Sequence, residues 1–206
     1  NSGYIIMDNT RSAVLELNSK LSNTLNNNLI VGYDKQIEDR AYRSSMFPTI
    51  DILNGTTTYA SVGFDPFTPG NKLDYNTFHI TNNLTKYAGK HTLTGGVNYE
   101  KYQSNNLFYP ASNGVYIFSS LQSFYAAANE SLANGGKPSV TNLPSRFQFR
   151  YSALPGAVDP MQVLKTQRID IYGQDEYQAS DKLKVTLGLR TAVIDIEPTS
   201  LENPAV

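Results

Sequence analysis

Cysteine and tryptophan are absent from this chain of 206 residues, and histidine occurs only twice, at His79 and His91. Without cysteine there is neither a disulfide frame nor a thiolate. That suits a reducing cytosol or an extracytoplasmic bacterial protein stable without disulfides, and alone it decides neither. No second His or Cys stands at ligand spacing from His79, so no histidine metal site and no cofactor are expected. His91, in Gly89-Lys90-His91, reads as a solvated turn residue. A charge excess is also lacking: Lys and Arg total 17 against 18 Asp and Glu. No net field would draw the chain to nucleic acid, which is not expected as a partner. There is no run of about 18 apolar residues, hence no transmembrane helix, although a spanning β-strand needs only about ten alternating residues. The chain starts without Met or a signal-peptide pattern and is read as a piece of a longer polypeptide. A nucleophile elbow, a P-loop and a dinucleotide fingerprint are missing as well. No catalytic constellation remains, and an enzyme is not expected.

What is present is alternation. From Arg168 to Leu189 two strands flank a polar turn at Ala179-Ser180-Asp181. In the second arm Leu183, Val185, Leu187 and Leu189 share one face, while Lys182, Lys184, Thr186, Gly188 and Arg190 share the other. Ser12 to Leu21 places Ala13, Leu15, Leu17 and Leu21 together. After the turn-forming Ser22 to Asn27 segment, Leu29, Val31 and Tyr33 resume an apolar face. Tyr75 to Lys86 alternates through Phe78, Ile80 and Leu84, with Asn82 interrupting. Thr92 to Gln103 sets Leu93, Gly95, Val97 and Tyr99 on one side, and the Gly95-Gly96 pair within it permits bending or close packing.

Between these strands short turns alternate with long connections, at about residues 38–74 and 105–165. Loops of that length argue for function. The second holds the one short helix, Ser119 to Ala133, with Ser119 or Ser120 as cap and Leu121, Phe124, Tyr125 and Ala128 at helical spacing; Gly135-Gly136-Lys137-Pro138 ends it. It also holds a short strand over Arg146 to Tyr151. The expected fold is all-β: an antiparallel up-and-down meander forming a section of a transmembrane β-barrel, in which residues 1–206 make a single piece.

Charge placement agrees with a barrel wall. The apolar registers of the first, second, fourth and sixth strands carry no central Lys, Arg, Asp or Glu, as lipid demands when a midplane Arg or Lys costs roughly 2–4 kcal/mol. Asp175 falls on the register of Ile169 and Ile171 and is expected at the headgroup rim. Asp170, Asp175 and Glu176 read as solvated lumen carboxylates; Asp175 and Glu176 point to opposite faces and cannot pair for glycosidic chemistry. Tyr33, Tyr87, Tyr99 and Tyr177 are expected near strand ends as girdle residues.

Gln174-Asp175-Glu176-Tyr177 followed by Leu183-Lys184-Val185-Thr186-Leu187-Gly188-Leu189-Arg190 resembles the barrel of TonB-dependent outer-membrane receptors, particularly the Oar-like type with a carboxypeptidase-regulatory-like domain found in Bacteroidetes. Phe47-Pro48-Thr49-Ile50-Asp51-Ile52, Ile80-Thr81-Asn82-Asn83-Leu84-Thr85, Gly89-Lys90-His91-Thr92-Leu93-Thr94-Gly95-Gly96-Val97-Asn98-Tyr99-Glu100 and Phe118-Ser119-Ser120-Leu121-Gln122-Ser123-Phe124 extend the resemblance over most of the chain. It implies a plugged barrel of about 22 strands in the bacterial outer membrane, taking up scarce ligands with energy relayed by TonB. The implied partners are outer-membrane lipid, the remainder of the barrel and its plug, TonB through that plug, and an extracellular ligand. The chain departs from the whole in having room for about six spanning strands, with no plug domain, TonB box or closing aromatic strand. Candidate ligand-binding residues are the loop aromatics Tyr42, Phe47, Tyr59, Phe64, Phe67, Phe108, Tyr109 and Tyr116, which stack on ligands or pack as loop core. The alternative function is a soluble β-sandwich module binding glycans or serving adhesion, with its charge-free faces packed on each other.

Overall fold

The structure is a computed structural model, and it describes residues 3–42 and 45–198. The chain divides into two compact units. One comprises residues 8–37, 73–105 and 162–206, the other residues 1–7, 38–72 and 106–161. They are termed the strand unit and the loop unit.

Six strands form one sheet: β1 (Tyr4–Lys20), β2 (Leu25–Tyr42), β5 (Asn71–Ala88), β6 (His91–Phe108), β9 (Gln162–Ser180) and β10 (Leu183–Ile196), neighbouring in that order. The sheet is an open antiparallel meander, with β1 and β10 each bordered by one strand. Alternation sorts the side chains between its two faces. Short turns join β1 to β2, β5 to β6 and β9 to β10. Between β5 and β6 only Gly89 and Lys90 intervene, and Gly89 takes φ +61°, a left-handed conformation that two-residue hairpins fill with glycine. The β9–β10 register runs from Leu183 opposite Ser180 to Ile196 opposite Thr166, with an irregularity at Leu183/Lys184.

One face carries the expected apolar set, and it is open. Leu15, Leu187 and Leu189 are among its most exposed members. This is no sandwich interior, since its apolar side chains stand exposed. Two borders delimit it along β9. At the first, His91 Nδ1 lies 2.7 Å from Asp175 Oδ2 and its ring stacks on Tyr177 at 4.7 Å. His91 is exposed beside the turn, as expected, and it also gives a hydrogen-bond partner to the carboxylate that breaks the apolar register. At the second border Tyr99 donates to Gln167 Oε1 at 3.0 Å, and just beyond it Lys165 pairs with Glu197 at 3.3 Å. Eight residues separate Asp175 from Gln167, about 27 Å along a strand. At the usual barrel tilt that gives about 20 Å along the normal, near the apolar band of about 25 Å. Arg11, Lys35, Asp74, Lys101, Lys165 and Asp195 fall on the same face by strand alternation, with Asp195 opposite Gln167 at that second border.

The strands outrun the sequence reading for the same reason. β1 is 17 residues long and β2, β5 and β6 are 18 each, so all pass the charged border by several residues. Beyond lipid both faces meet water, the apolar/polar alternation ceases, and periodicity no longer marks a strand. Tyr33 and Tyr99 accordingly sit mid-strand, nine residues into β2 and β6, whereas Tyr87 and Tyr177 lie near the short turns. The Asn82 interruption is satisfied locally: Asn27 Nδ2 donates to Asn82 Oδ1 at 2.8 Å and to the Asn83 carbonyl at 3.0 Å.

The opposite face is a polar network. Asn28 donates to Glu16 and Asn18 at 2.6 and 2.8 Å, Thr81 to Asn98 at 2.7 Å, and Lys184 reaches Glu176 at 2.8 Å. Asp170 is fully enclosed rather than solvated as expected, because Arg168 Nη2, Arg190 Nη2 and Asn98 Nδ2 close on it at 2.9, 2.8 and 3.1 Å. These contacts tie β6, β9 and β10 together. Gly96 lies beneath the Tyr172 ring, where a Cβ would strike the phenol, and Tyr172 donates from there to Asn83. Of the glycine pair, Gly96 therefore supplies close packing of an aromatic ring across the sheet.

Within the loop unit, the first long connection is not structureless. It contains a hairpin, β3 (Thr49–Asn54) and β4 (Thr57–Val62), whose turn begins at Gly55. β3 also pairs in parallel with β7 (Val115–Phe118), and β7 pairs antiparallel with β8 (Arg146–Gln148), giving the order β4-β3-β7-β8. The helix α1 (Leu121–Ala133) starts at Ser120, whose hydroxyl accepts from the Ser123 amide while Ser123 reciprocates to the Ser120 amide. Its end is closed by the Gly136 amide on the Ser131 carbonyl at 2.8 Å. Ile52, Phe64, Val115, Ile117, Phe118 and Ala127 are the buried apolar centre of this unit.

A candidate ligand-binding cavity

The helix decides the cavity's position. Phe124, Ala127 and Ala128 face it at i, i+3 and i+4, whereas Leu121 and Tyr125 of the expected apolar stripe are exposed. Phe118 meets Phe124 edge-on at 5.5 Å. Across from the helix stand Ile50 of β3, Tyr116 and Phe118 of β7, and Phe147 of β8, with residues 138–144 forming the remaining wall. Together they bound about 590 Å³, within the range of small-molecule sites.

That last wall is held by one carboxylate. Glu130 Oε1 accepts from the Val140 and Thr141 amides at 3.0 and 3.2 Å, and Oε2 accepts from the Asn142 amide and side chain at 3.1 and 2.9 Å. The Ser139 hydroxyl donates to Oε2 as well. The Ser139 hydroxyl first, then the Val140 amide, hold the Glu130 carboxyl down at about 2. Its charge is fully engaged by the wall it anchors and offers nothing to a ligand.

The eight aromatics singled out in the sequence separate clearly. Tyr116 lines the cavity and stands 4.7 Å from Phe147. Phe64, 1% exposed, is gripped edge-on by Tyr42 and Phe47 at 5.1 and 5.3 Å and forms loop core. Tyr59, Phe67 and Phe108 are exposed. Tyr109 borders a second, more polar cavity of about 340 Å³ with Phe149 and Tyr151. The short strand expected over Arg146 to Tyr151, observed as β8 over Arg146–Gln148, begins a row of rings outside the candidate set, Phe147, Phe149 and Tyr151, which follow one another at 6.2 and 6.4 Å with interplanar angles of 11° and 23°. Three aromatics at i, i+2 and i+4 in extended chain were the available signal.

Among the described residues no group of three or more acidic, His or Cys side chains is placed to hold a metal ion. His79 faces Asp34 at 3.9 Å, its ring lying over Gly32. No described helix is long and apolar enough to cross a membrane. Residues 7–196 match the family model described as an outer membrane beta barrel domain. The chain belongs to that family. Its place is the bacterial outer membrane, and the open apolar face between the two polar borders is the lipid-facing side of this outer membrane beta barrel domain. Searches among curated proteins and among solved structures returned no match.

Proposed function

We propose that this outer membrane beta barrel domain works in a TonB-dependent receptor of the Oar-like type, and that its loop unit captures an extracellular ligand for uptake. The observation that carries the reading is the cavity-bearing loop unit, built almost entirely from the two long connections of the meander. Structural loops of a small barrel need no helix, second sheet and core of their own. The open edges of β1 and β10 expose backbone groups that lipid cannot satisfy. In this reading further strands close the barrel, a plug fills it, TonB acts through the plug, and no catalysis is involved. The polar network on the other face then lines the lumen.

The test compares nutrient depletion from the medium by wild-type cells, cells lacking the receptor, and cells lacking TonB. Loss of the same compounds from the depletion profile of both mutants supports the reading. Depletion that requires the receptor but persists without TonB overturns the TonB dependence. Release of loop-unit peptides by protease added to intact cells is the expected companion result.

A further inference from the structure

We infer that the 590 Å³ cavity between α1, β7, β8 and residues 138–144 binds a small, uncharged, largely apolar or aromatic ligand. The inference rests on the ligand-capture reading above and gives that ligand a chemical class. Four rings, Tyr116, Phe118, Phe124 and Phe147, and the small Ala127 and Ala128 make up most of the lining. No Lys, Arg, Asp or Glu borders it. Of the polar side chains that do, Ser139 and the Asn142 amide nitrogen are spent on Glu130, which leaves the Asn142 Oδ1 and the Tyr116 hydroxyl as two isolated side-chain polar atoms for a ligand, and Glu130 in turn is engaged in the wall itself. A charged ligand entering here would lose its hydration with no compensating partner, a cost that excludes it. A polyhydroxylated sugar would leave most hydroxyls unpaired, and selective sites pair such groups with fixed donors and acceptors. An apolar body meets neither penalty, and its transfer from water is favourable in proportion to the area covered.

The wall also gives the site permanence. A five-donor clasp fixes residues 139–142 before any ligand arrives, so little ordering entropy is lost on binding. Such preformed, concave and apolar surroundings with few polar groups are the general form of a small-molecule site.

The experiment uses the whole receptor in lipid nanodiscs and equilibrium dialysis, with empty nanodiscs subtracted. The probes are 1-naphthylmethanol, its carboxylate counterpart 1-naphthoate, and maltotriose. Saturable binding of 1-naphthylmethanol at one per chain is expected, at least about tenfold tighter than either comparator. Ala128→Trp fills the cavity from the helix and Leu143→Trp from the opposite wall; each should weaken binding about tenfold or more in protein that retains its folded electrophoretic mobility. Two variants are used so that misfolding of one leaves the other decisive, and the probe preference of the unaltered receptor stands apart from both. Absence of saturable binding, as when another segment of the polypeptide fills the cavity, overturns the inference. So does preference for 1-naphthoate or maltotriose, or undiminished binding in a folded Trp variant. The assay contains no TonB, so failure of TonB-dependent uptake in cells leaves its result standing, and failure of binding leaves the uptake result standing.

Discussion

The two units turn the same alphabet inside out. In the loop unit the buried centre is apolar, with Phe64, Ile52, Val115 and Ile117 enclosed as in a water-soluble core. In the strand unit Leu15, Leu187 and Leu189 stand exposed, while the fully enclosed side chain is a carboxylate, Asp170, between two arginines. The difference teaches that exposure has no fixed sign. It is set by the solvent each surface meets, lipid on one face of the strand unit and water around the loop unit.

If this contrast holds, a single large-to-small change should hurt only the water-soluble core. Phe64→Ala removes the ring between Tyr42 and Phe47 and should destabilise the loop unit by about 3–5 kcal/mol, read as accelerated proteolysis of residues 38–72 with the strand unit still protected. Equal protection of both units in this variant would break the comparison.

On the lipid side the damaging change is charge. Ile171→Arg sits midway between the Asp175 and Gln167 borders and should cost about 2–4 kcal/mol in urea titrations of receptor folded into vesicles, while a charge at the Asp195 border costs about 0–1 kcal/mol. A flat depth profile along β9 and β10 would show that this face does not meet lipid.

Smaller again is Gly96→Leu, which drives the Tyr172 ring off the sheet and breaks its hydrogen bond to Asn83. About 1–3 kcal/mol is expected from the same titration. Gly95→Ala, with only the Tyr172 carbonyl at 3.9 Å from the added Cβ, should be close to neutral and serves as its control.

The least effect concerns Glu130. Its folded carboxyl ionises at about 2, below the ordinary 4.5, so the clasp contributes fully above pH 4.5 and is lost as pH falls towards 2. Amide protection at Val140, Thr141 and Asn142 should decline across that window. Glu130→Gln should lower the protection at neutral pH and flatten its pH dependence; an unchanged profile would detach the wall from this carboxylate.

Legibility followed the solvent boundaries. Where lipid lies on one side, alternation was strict, and the strands through Leu15, Val31, Ile80, Val97, Ile171 and Leu187 were readable residue by residue. Where strands pass into water, at Tyr4 to Arg11 and Ser104 to Phe108, both faces carry mixed residues and alternation does not mark the strands. The β3–β4 hairpin was hidden for a related reason. Its Asn54-Gly55 turn signal was visible, but Ile50, Ile52, Thr58 and Ala60 give too short an alternation to identify a strand. In the cavity, Tyr116 was legible as a loop aromatic, yet nothing local separates it from Phe64, which the fold buries.

The sequence by itself determined the class of the protein. Its alternating registers, charge-free apolar faces and strict exchange of short turns with long connections admit few folds other than a membrane meander, because a period of two and the cost of charge in lipid are local properties of the chain. Tertiary structure decided the partners. Asp175 became tolerable on the apolar face through His91, 84 residues away. Asp170 became enclosed through Arg190 and Asn98. The cavity exists because Glu130 reaches forward to hold residues 139–142 against α1. Each depends on which segments the folded chain brings within hydrogen-bonding distance, and no periodicity encodes that.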